Sequence, residues 1–295
     1  MSDEPLVSVI IVNHNVRELL LDTLRSLYAS IEISFQTIVV DNNSSDGSAQ
    51  AVAEAFPQVD LITAPENLGF GGGNNLGFQR ATGRFILLLN PDVILEPDCV
   101  DKLADFLLVH SEVGAVGPRL TRPDGGLDLA ARRGFPTPGA AFYRLSGLSR
   151  IFPHSQRFNR YNMGYEDADR RHEIDVGTAA CLLVRRDSIN QVGLFDPDFF
   201  MYGEDIDLCY RLKAGGWKIY YLPSAQALHI KGASSRQATG RMMRAFHSSM
   251  WTFHRKHYAG GLPAFINGLI WALIWGRWAG LTLRSRLIHD PHISR

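Results

Sequence analysis

Cysteine is scarce and patternless in this 295-residue chain. Cys99, Cys181 and Cys209 are odd in number and widely spaced, so neither a disulfide framework nor a cysteine metal cluster is encoded. A reducing cytosol is the simplest setting. Net charge is lacking too: 30 Lys and Arg balance 30 Asp and Glu, which argues against a general nucleic-acid binder. The opening residues Met1-Ser2-Asp3-Glu4-Pro5 are acidic and run straight into a strand, unlike a secretory leader. No GxGxxG follows the first strand, which excludes a dinucleotide fingerprint there. Acids themselves are nearly missing from one end. Residues 231–295 hold ten Lys and Arg and a single acid, Asp290, so that end is +9 and the remainder −9. Such a split points to a basic end facing an anionic surface.

What is present is the composition of a soluble globular protein, 45% hydrophobic and 20% charged, long enough for one large domain or two ordinary ones. Val7-Ser8-Val9-Ile10-Ile11-Val12 reads as a buried strand ending in Asn13-His14-Asn15. Leu19, Leu20, Thr23, Leu24 and Leu27 follow at helical spacing. A second strand, Thr37 to Val40, ends in Asp41-Asn42-Asn43-Ser44-Ser45-Asp46; a helix and a third strand at 59–62 come next. The pattern predicts parallel pairing and a doubly wound α/β half-sheet, with polar loops at one edge.

Phe85-Ile86-Leu87-Leu88-Leu89 predicts a strand buried on both faces, and Asn90-Pro91-Asp92 stops it. An acid at a strand's carboxyl end suits a hard divalent cation carrying phosphates; the alternative is a turn cap before Leu95. The run Asn67-Leu68-Gly69-Phe70-Gly71-Gly72-Gly73-Asn74-Asn75 would let backbone approach a ligand closely, or in part begin a glycine-rich helix. Residues 122–172, rich in Arg, Gly and Pro, read as an irregular acceptor-facing segment, the alternative being a disordered insertion. A strand is expected over 174–184. Gly203-Glu204-Asp205-Ile206-Asp207 opens a helix. Capping and the macrodipole account for Asp207, and less well for Glu204 and Asp205 behind a glycine and an aromatic wall. His229 follows another strand in a polar loop and is a structural or a ligating histidine.

Taken in order, these motifs resemble those of inverting family 2 glycosyltransferases with the GT-A fold, from Val7 to about Ser235. The resemblance implies a mixed doubly wound α/β sheet with C-terminal helices. Asn13, Asn15 and Val39-Val40-Asp41-Asn42-Asn43-Ser44-Ser45-Asp46 match the base-binding segment, where Asp41 would accept from a pyrimidine. Asn67, Gly69 and Asn75 match the nucleotide-sugar loop. Asn90-Pro91-Asp92 stands where the family keeps Asp-x-Asp, with Asn departing from the first position. Asp92 matches the acid ligating Mg²⁺ or Mn²⁺, and Glu204-Asp205 the pair whose Asp is the catalytic base. His229, followed by Gly232 and Ser234, matches the segment closing over metal and diphosphate. The stretch around Glu204-Asp205 is similar to bacterial rhamnosyltransferases of polysaccharide assembly. That likeness implies a dTDP-sugar donor, with UDP-sugars fitting the same scaffold, and a glycan or lipid-linked acceptor. The rivals are a non-catalytic nucleotide-sugar or glycan-binding module and a nucleotidyltransferase. The first would not need Asp92, Glu204-Asp205 and His229. The second wants a basic phosphate loop near the N-terminus, where only Arg17 stands.

Residues 1–235 are therefore expected as the catalytic domain and 236–295 as basic, Trp-rich helices. The segment 262–283, with Trp271, Trp275 and Trp278, approaches the roughly 20 apolar residues of a membrane span. Pro263, Asn267, Gly268 and Arg277 count against spanning. The expected placement is an amphipathic helix on the cytoplasmic face of the cell membrane. The alternative is a helix packed on the catalytic domain or on a partner subunit, which would make the chain a homo-oligomer.

Overall fold

A computed structural model describes residues 4–230 and 239–288. Its centre is a nine-stranded mixed sheet. β1 (Val7–Asn13), β2 (Phe35–Asp41), β3 (Asp60–Thr63) and β4 (Phe85–Leu89) pair in parallel in the order β3-β2-β1-β4. Every residue of β1 and of β4 is buried, as expected of apolar runs covered on both faces. The second half adds β5 (Val93–Leu95), β6 (Val113–Thr121), β7 (His172–Glu173), β8 (Cys181–Arg185) and β9 (Lys218–His229). β8 runs antiparallel to both β4 and β6, β9 is parallel to β6, and β5 and β7 close on β9 antiparallel. The mixed, doubly wound α/β sheet expected from the sequence is therefore present.

The helices covering it are α1 (Arg17–Ser30), α2 (Ser48–Ala55), α3 (Gly69–Phe78) and α4 (Cys99–Val109), then α5 (Pro138–Leu145), α6 (Leu148–Ile151), α7 (Arg186–Val192) and α8 (Glu204–Ala214). α9 (Thr239–His257) and α10 (Ala264–Ile288) complete the set. α1 shows how the sequence sets a face: Leu20, Leu21, Leu24 and Leu27 are buried, while Arg17, Glu18, Asp22 and Arg25 face water.

Three expectations need correction. The glycine run is a helix, α3, and its glycines serve packing. A Cβ on Gly73 would lie 2.6 Å from Val12 Cγ1, and one on Gly69 (φ +75°) 2.2 Å from the Phe200 carbonyl oxygen. Only glycines let this helix sit down on β1 and on the 194–203 loop. The strand expected over 174–184 is broken: β7 ends at Glu173, Val176 bridges Arg133, and β8 begins at Cys181. The 122–172 segment is ordered, with a 3₁₀ turn at Leu129–Ala131, α5 and α6.

α9 and α10 form a hairpin whose first helix packs on α8 and the 196–201 loop. His257 Nε2 lies 2.7 Å from Asp207 Oδ1, Ser249 Oγ donates to the Met201 carbonyl at 3.0 Å, and Lys256 pairs with Asp196 and Asp198. α10 turns its polar residues to α9: Asn267 Oδ1 meets His254 Nε2 at 2.8 Å, and Arg277 meets His247. Phe265, Leu269, Trp271, Leu273 and Leu283 are left exposed. Among the described residues no helix is long and apolar enough to cross a membrane. The expected boundary at 235/236, with Gly232 and Ser234, lies outside the described residues.

Candidate active site

The polar ends of β1, β2 and β4 share one edge of the sheet, where open α/β sheets bind ligands. Asn13 and Asp41 are register partners at the ends of β1 and β2. Asn13 Nδ2 donates to Asp41 Oδ1 at 3.3 Å and to Ser44 Oγ at 3.1 Å, while Asp41 Oδ2 accepts from the Ser44 amide at 3.1 Å. Asn15 (φ +56°) accepts from the Ser45 amide at 2.7 Å and so fixes the same loop. Asp41 thus holds Asn13 with one oxygen and the loop with the other.

Asn42, which sequence reasoning quoted but gave no role, ties this edge to α3. Its Oδ1 accepts from the Leu68 amide at 2.9 Å, and its Nδ2 donates to Asn67 Oδ1 at 3.1 Å and to the Gly69 carbonyl at 3.0 Å. Asn67 in turn accepts from the Gly69 amide, 2.9 Å. Asn75 needs a different reading from the expected one. Its amide brackets the Phe195 backbone, donating to the carbonyl at 2.8 Å and accepting from N–H at 3.0 Å. It anchors the loop leading to Asp205.

Asn90 and Asp92 flank Pro91 beyond β4. Asp92 is buried and its Oδ1 faces His229 Nε2 at 3.4 Å. Pairing of β5 with β9 causes this meeting, since Val93 is in register with His229. His229 Nδ1 lies 2.9 Å from Asp128 Oδ2, and Asp128 Oδ1 caps the 3₁₀ turn through the Ala130 amide at 3.0 Å. Burial opposes a charge on His229, but hydrogen bonds to Asp128 and Asp92 and their charges outweigh it and push it up to about 9. Among the described residues no three His, Cys, Asp or Glu side chains form a ready-made cation cage. Asp92 and His229 nevertheless fit a cation that takes its other ligands from diphosphate and water, with Asp128 orienting the imidazole from behind.

Asp205 is the second residue of α8, whose cap is Gly203 (φ +85°). Arg133 Nη2 donates to Asp205 Oδ2 at 2.6 Å, both side chains being mostly buried. Burial works against the Arg133 charge, yet the Asp205 carboxylate and the Tyr161 hydroxyl hold its guanidinium above the ordinary value. Neither Asp128 nor Arg133 was singled out from the sequence. The usable signal was Asp128 before the apolar triplet Leu129-Ala130-Ala131, a turn cap, followed by two arginines in an otherwise irregular stretch. Five residues of chain reach about 18 Å at most when extended, and a 3₁₀ turn shortens that. The Asp92–His229 pair and the Arg133–Asp205 pair are thus linked through the one segment 128–133.

Among the described residues, buried side-chain atoms without a partner include Asn13 Oδ1, Asn90 Oδ1, Glu204 Oε2 and Arg133 Nε, and also Arg132 Nε, Thr23 Oγ1, Ser30 Oγ and Arg186 Nη2. Such atoms cost free energy unless a ligand satisfies them. Residues 8–193 match the family described as Glycosyl transferase family 2. The chain belongs to that family. This glycosyltransferase is 31% identical over 285 residues to the N-acetylglucosaminyl-diphospho-decaprenol L-rhamnosyltransferase of Mycobacterium tuberculosis, covering 92% of this chain and 89% of that protein. The rhamnosyltransferase WbbL of Escherichia coli is 28% identical over 246 residues, 81% of this chain and 89% of that protein. A mannosyltransferase from Pyrobaculum calidifontis, solved with GDP-Man and Mn²⁺, superposes with a TM-score of 0.58 at 16% identity, over 93% of this chain and 70% of that one. That likeness concerns the GT-A fold alone. The rival reading as a non-catalytic module is not favoured.

Glu204 of this glycosyltransferase is pushed up to about 8, first by burial and then by the charge of Asp205. A carboxyl whose folded value exceeds its ordinary 4.5 binds protons more tightly when folded, so its contribution is complete below 4.5 and lost as pH rises through about 8. Glu204→Gln should remove that slope. Thermal melts at acid and at alkaline pH check this: an unchanged fall in stability toward pH 8 in the variant would reject the assignment.

Proposed function

We propose that this glycosyltransferase moves a sugar, rhamnose in our reading, from a dTDP- or UDP-sugar to a hydroxyl of a glycan or lipid-linked acceptor in cell-surface polysaccharide synthesis, inverting the anomeric centre. What supports the reading is the segment 128–133, whose Asp128 bonds His229 beside Asp92 and whose Arg133 holds the buried Asp205 carboxylate. Asn13, Asn15 and Asp41 form the floor for the base, supported by Asn42, and Asn67, Gly69 and Asn90 line the way toward the sugar diphosphate. Asp205 accepts the proton of the acceptor hydroxyl as oxygen attacks the anomeric carbon from the face opposite the diphosphate. Glu204, neutral at pH 7, adds no charge beside that base. Asp92 and His229 would hold Mg²⁺ or Mn²⁺, which supplies charge balance on the departing diphosphate.

Asp92→Ala should weaken metal-dependent binding of a sugar nucleotide. Calorimetry with Mg²⁺ or Mn²⁺ checks it: equal affinity in variant and wild type would remove Asp92 from that role. Because His229 must give up its Nε2 proton to ligate, binding should also release a proton and weaken as pH falls below about 9. A panel of sugar nucleotides screened for metal-dependent hydrolysis would identify the donor, and hydrolysis of none would sink the reading.

A peripheral position on the inner face of the cell membrane is part of this proposal. It is supported by the exposed apolar side of α10 together with the basic composition of 231–295. The full chain should float with phosphatidylglycerol-containing vesicles; recovery only in the unbound fraction would dismiss it.

A further inference from the structure

The two residues ahead of Glu204-Asp205 both have left-handed backbone, Tyr202 at φ +69° and Gly203 at φ +85°. A glycine adopts that conformation freely. A tyrosine is strained in it, and holds it only where its surroundings fix it.

Two helices grip this turn from opposite sides. From α3, the Phe70 amide donates to the Phe200 carbonyl at 3.1 Å, and Asn75 brackets Phe195. From α9, each of residues 200 to 203 is met in turn. The Arg241 guanidinium lies over the Phe200 ring, 5.1 Å from its centre. Ser249 Oγ donates to the Met201 carbonyl at 3.0 Å. The Phe246 ring meets the Tyr202 ring edge-on, with centres 5.8 Å apart. A Cβ on Gly203 would lie 3.3 Å from Ser249 Cβ, so the helix is seated against the turn itself. Beyond the turn, His257 of α9 donates to Asp207 Oδ1 at 2.7 Å, while Arg211 Nε donates to Oδ2 at 2.8 Å. Asp205 therefore lies midway between two points at which α9 holds the chain, Gly203 and Asp207.

We infer that α9 is a positioning element of the catalytic site. Ser249 and Phe246 fix the strained 201–203 turn and His257 fixes Asp207, so that the Asp205 carboxylate is aimed at the hydroxyl it deprotonates. The reason for such a device is that proton transfer depends steeply on geometry. This inference rests on Asp205 as the base of the proposed function.

The test uses the full chain and hydrolysis of dTDP-rhamnose with Mn²⁺. Water there replaces the acceptor, gives its proton to Asp205, and yields rhamnose and dTDP. Ser249→Ala combined with Phe246→Ala should lower kcat by about tenfold to a hundredfold, the loss that a misplacement of about 1 Å brings. The donor KM should hold, because the bonds from Asn75 and Phe70 are untouched. Phe246→Tyr keeps a ring against Tyr202 and should keep most of the rate. Phe246→Ala alone, at a position 42% exposed, serves if the double variant does not fold, and must itself lower kcat. A lower melting temperature with kcat unchanged well below it would make α9 a structural prop and overturn the inference. So would a raised KM with kcat unchanged, or an equal loss in Phe246→Tyr and Phe246→Ala. Asp205→Asn separates the two readings. If it hydrolyses the donor as fast as wild type, or if wild type hydrolyses none, the base falls and the inference with it. If it is inactive while the α9 variants keep the wild-type kcat, the base stands and only the role of α9 falls.

Discussion

Asp205→Asn should lower kcat by about 10²–10⁴, the usual contribution of a positioned general base, while sugar-nucleotide affinity stays within error of wild type. The substitution is nearly isosteric. An Asn there keeps an oxygen for the Ile206 amide, which Asp205 Oδ1 now meets at 2.8 Å, but turns its Nδ2 to Arg133 in place of the oxygen now bonded at 2.6 Å, so the variant also loses stability. What it cannot do is take a proton. The split matters because Asp92→Ala predicts the opposite pattern, weaker metal-dependent donor binding. Steady-state turnover and calorimetry on both variants separate the roles. Full turnover by Asp205→Asn would remove it as the base, whatever its position in the fold.

The half of the site nearest the sheet was legible in the sequence because it sits where patterns end. Asn13, Asp41 and Asn90 each follow an apolar run, and strand ends are easy to see when the strand is buried on both faces, as β1 and β4 are. α3 was harder. Five glycines in ten residues give a helix no propensity, and it forms because Val12, Ile10 and Phe200 leave room only for backbone at Gly73, Gly77 and Gly69. Those contacts are tertiary and leave no local trace. Asn75 misled for the same reason, since an amide bonding the Phe195 backbone 120 residues away reads in sequence like one facing a ligand. Asp128 and Arg133 lie in a stretch without periodicity, and their partners, His229 and Asp205, are 101 and 72 residues away. Pattern reasoning could find the chemistry at the strand ends, but not the side chains that orient it.

Arg133→Met should cost about 3–5 kcal/mol of stability at neutral pH, the penalty for stranding one partner of a buried ion pair. Met fills most of the volume and removes only the charge and its hydrogen bonds. Asp205 would then lie buried beside the neutral Glu204 with no cation to balance its charge. Urea unfolding at neutral pH measures the cost. Combining Arg133→Met with Asp205→Asn isolates the pair, since with no carboxylate to strand, the arginine's removal should cost much less. An equal cost in both backgrounds would mean that Arg133 matters only as packing. A smaller cost would mean that the 128–133 segment holds the proposed base by charge, as it holds His229 by the Asp128 hydrogen bond, so that one short turn governs both sides of the chemistry.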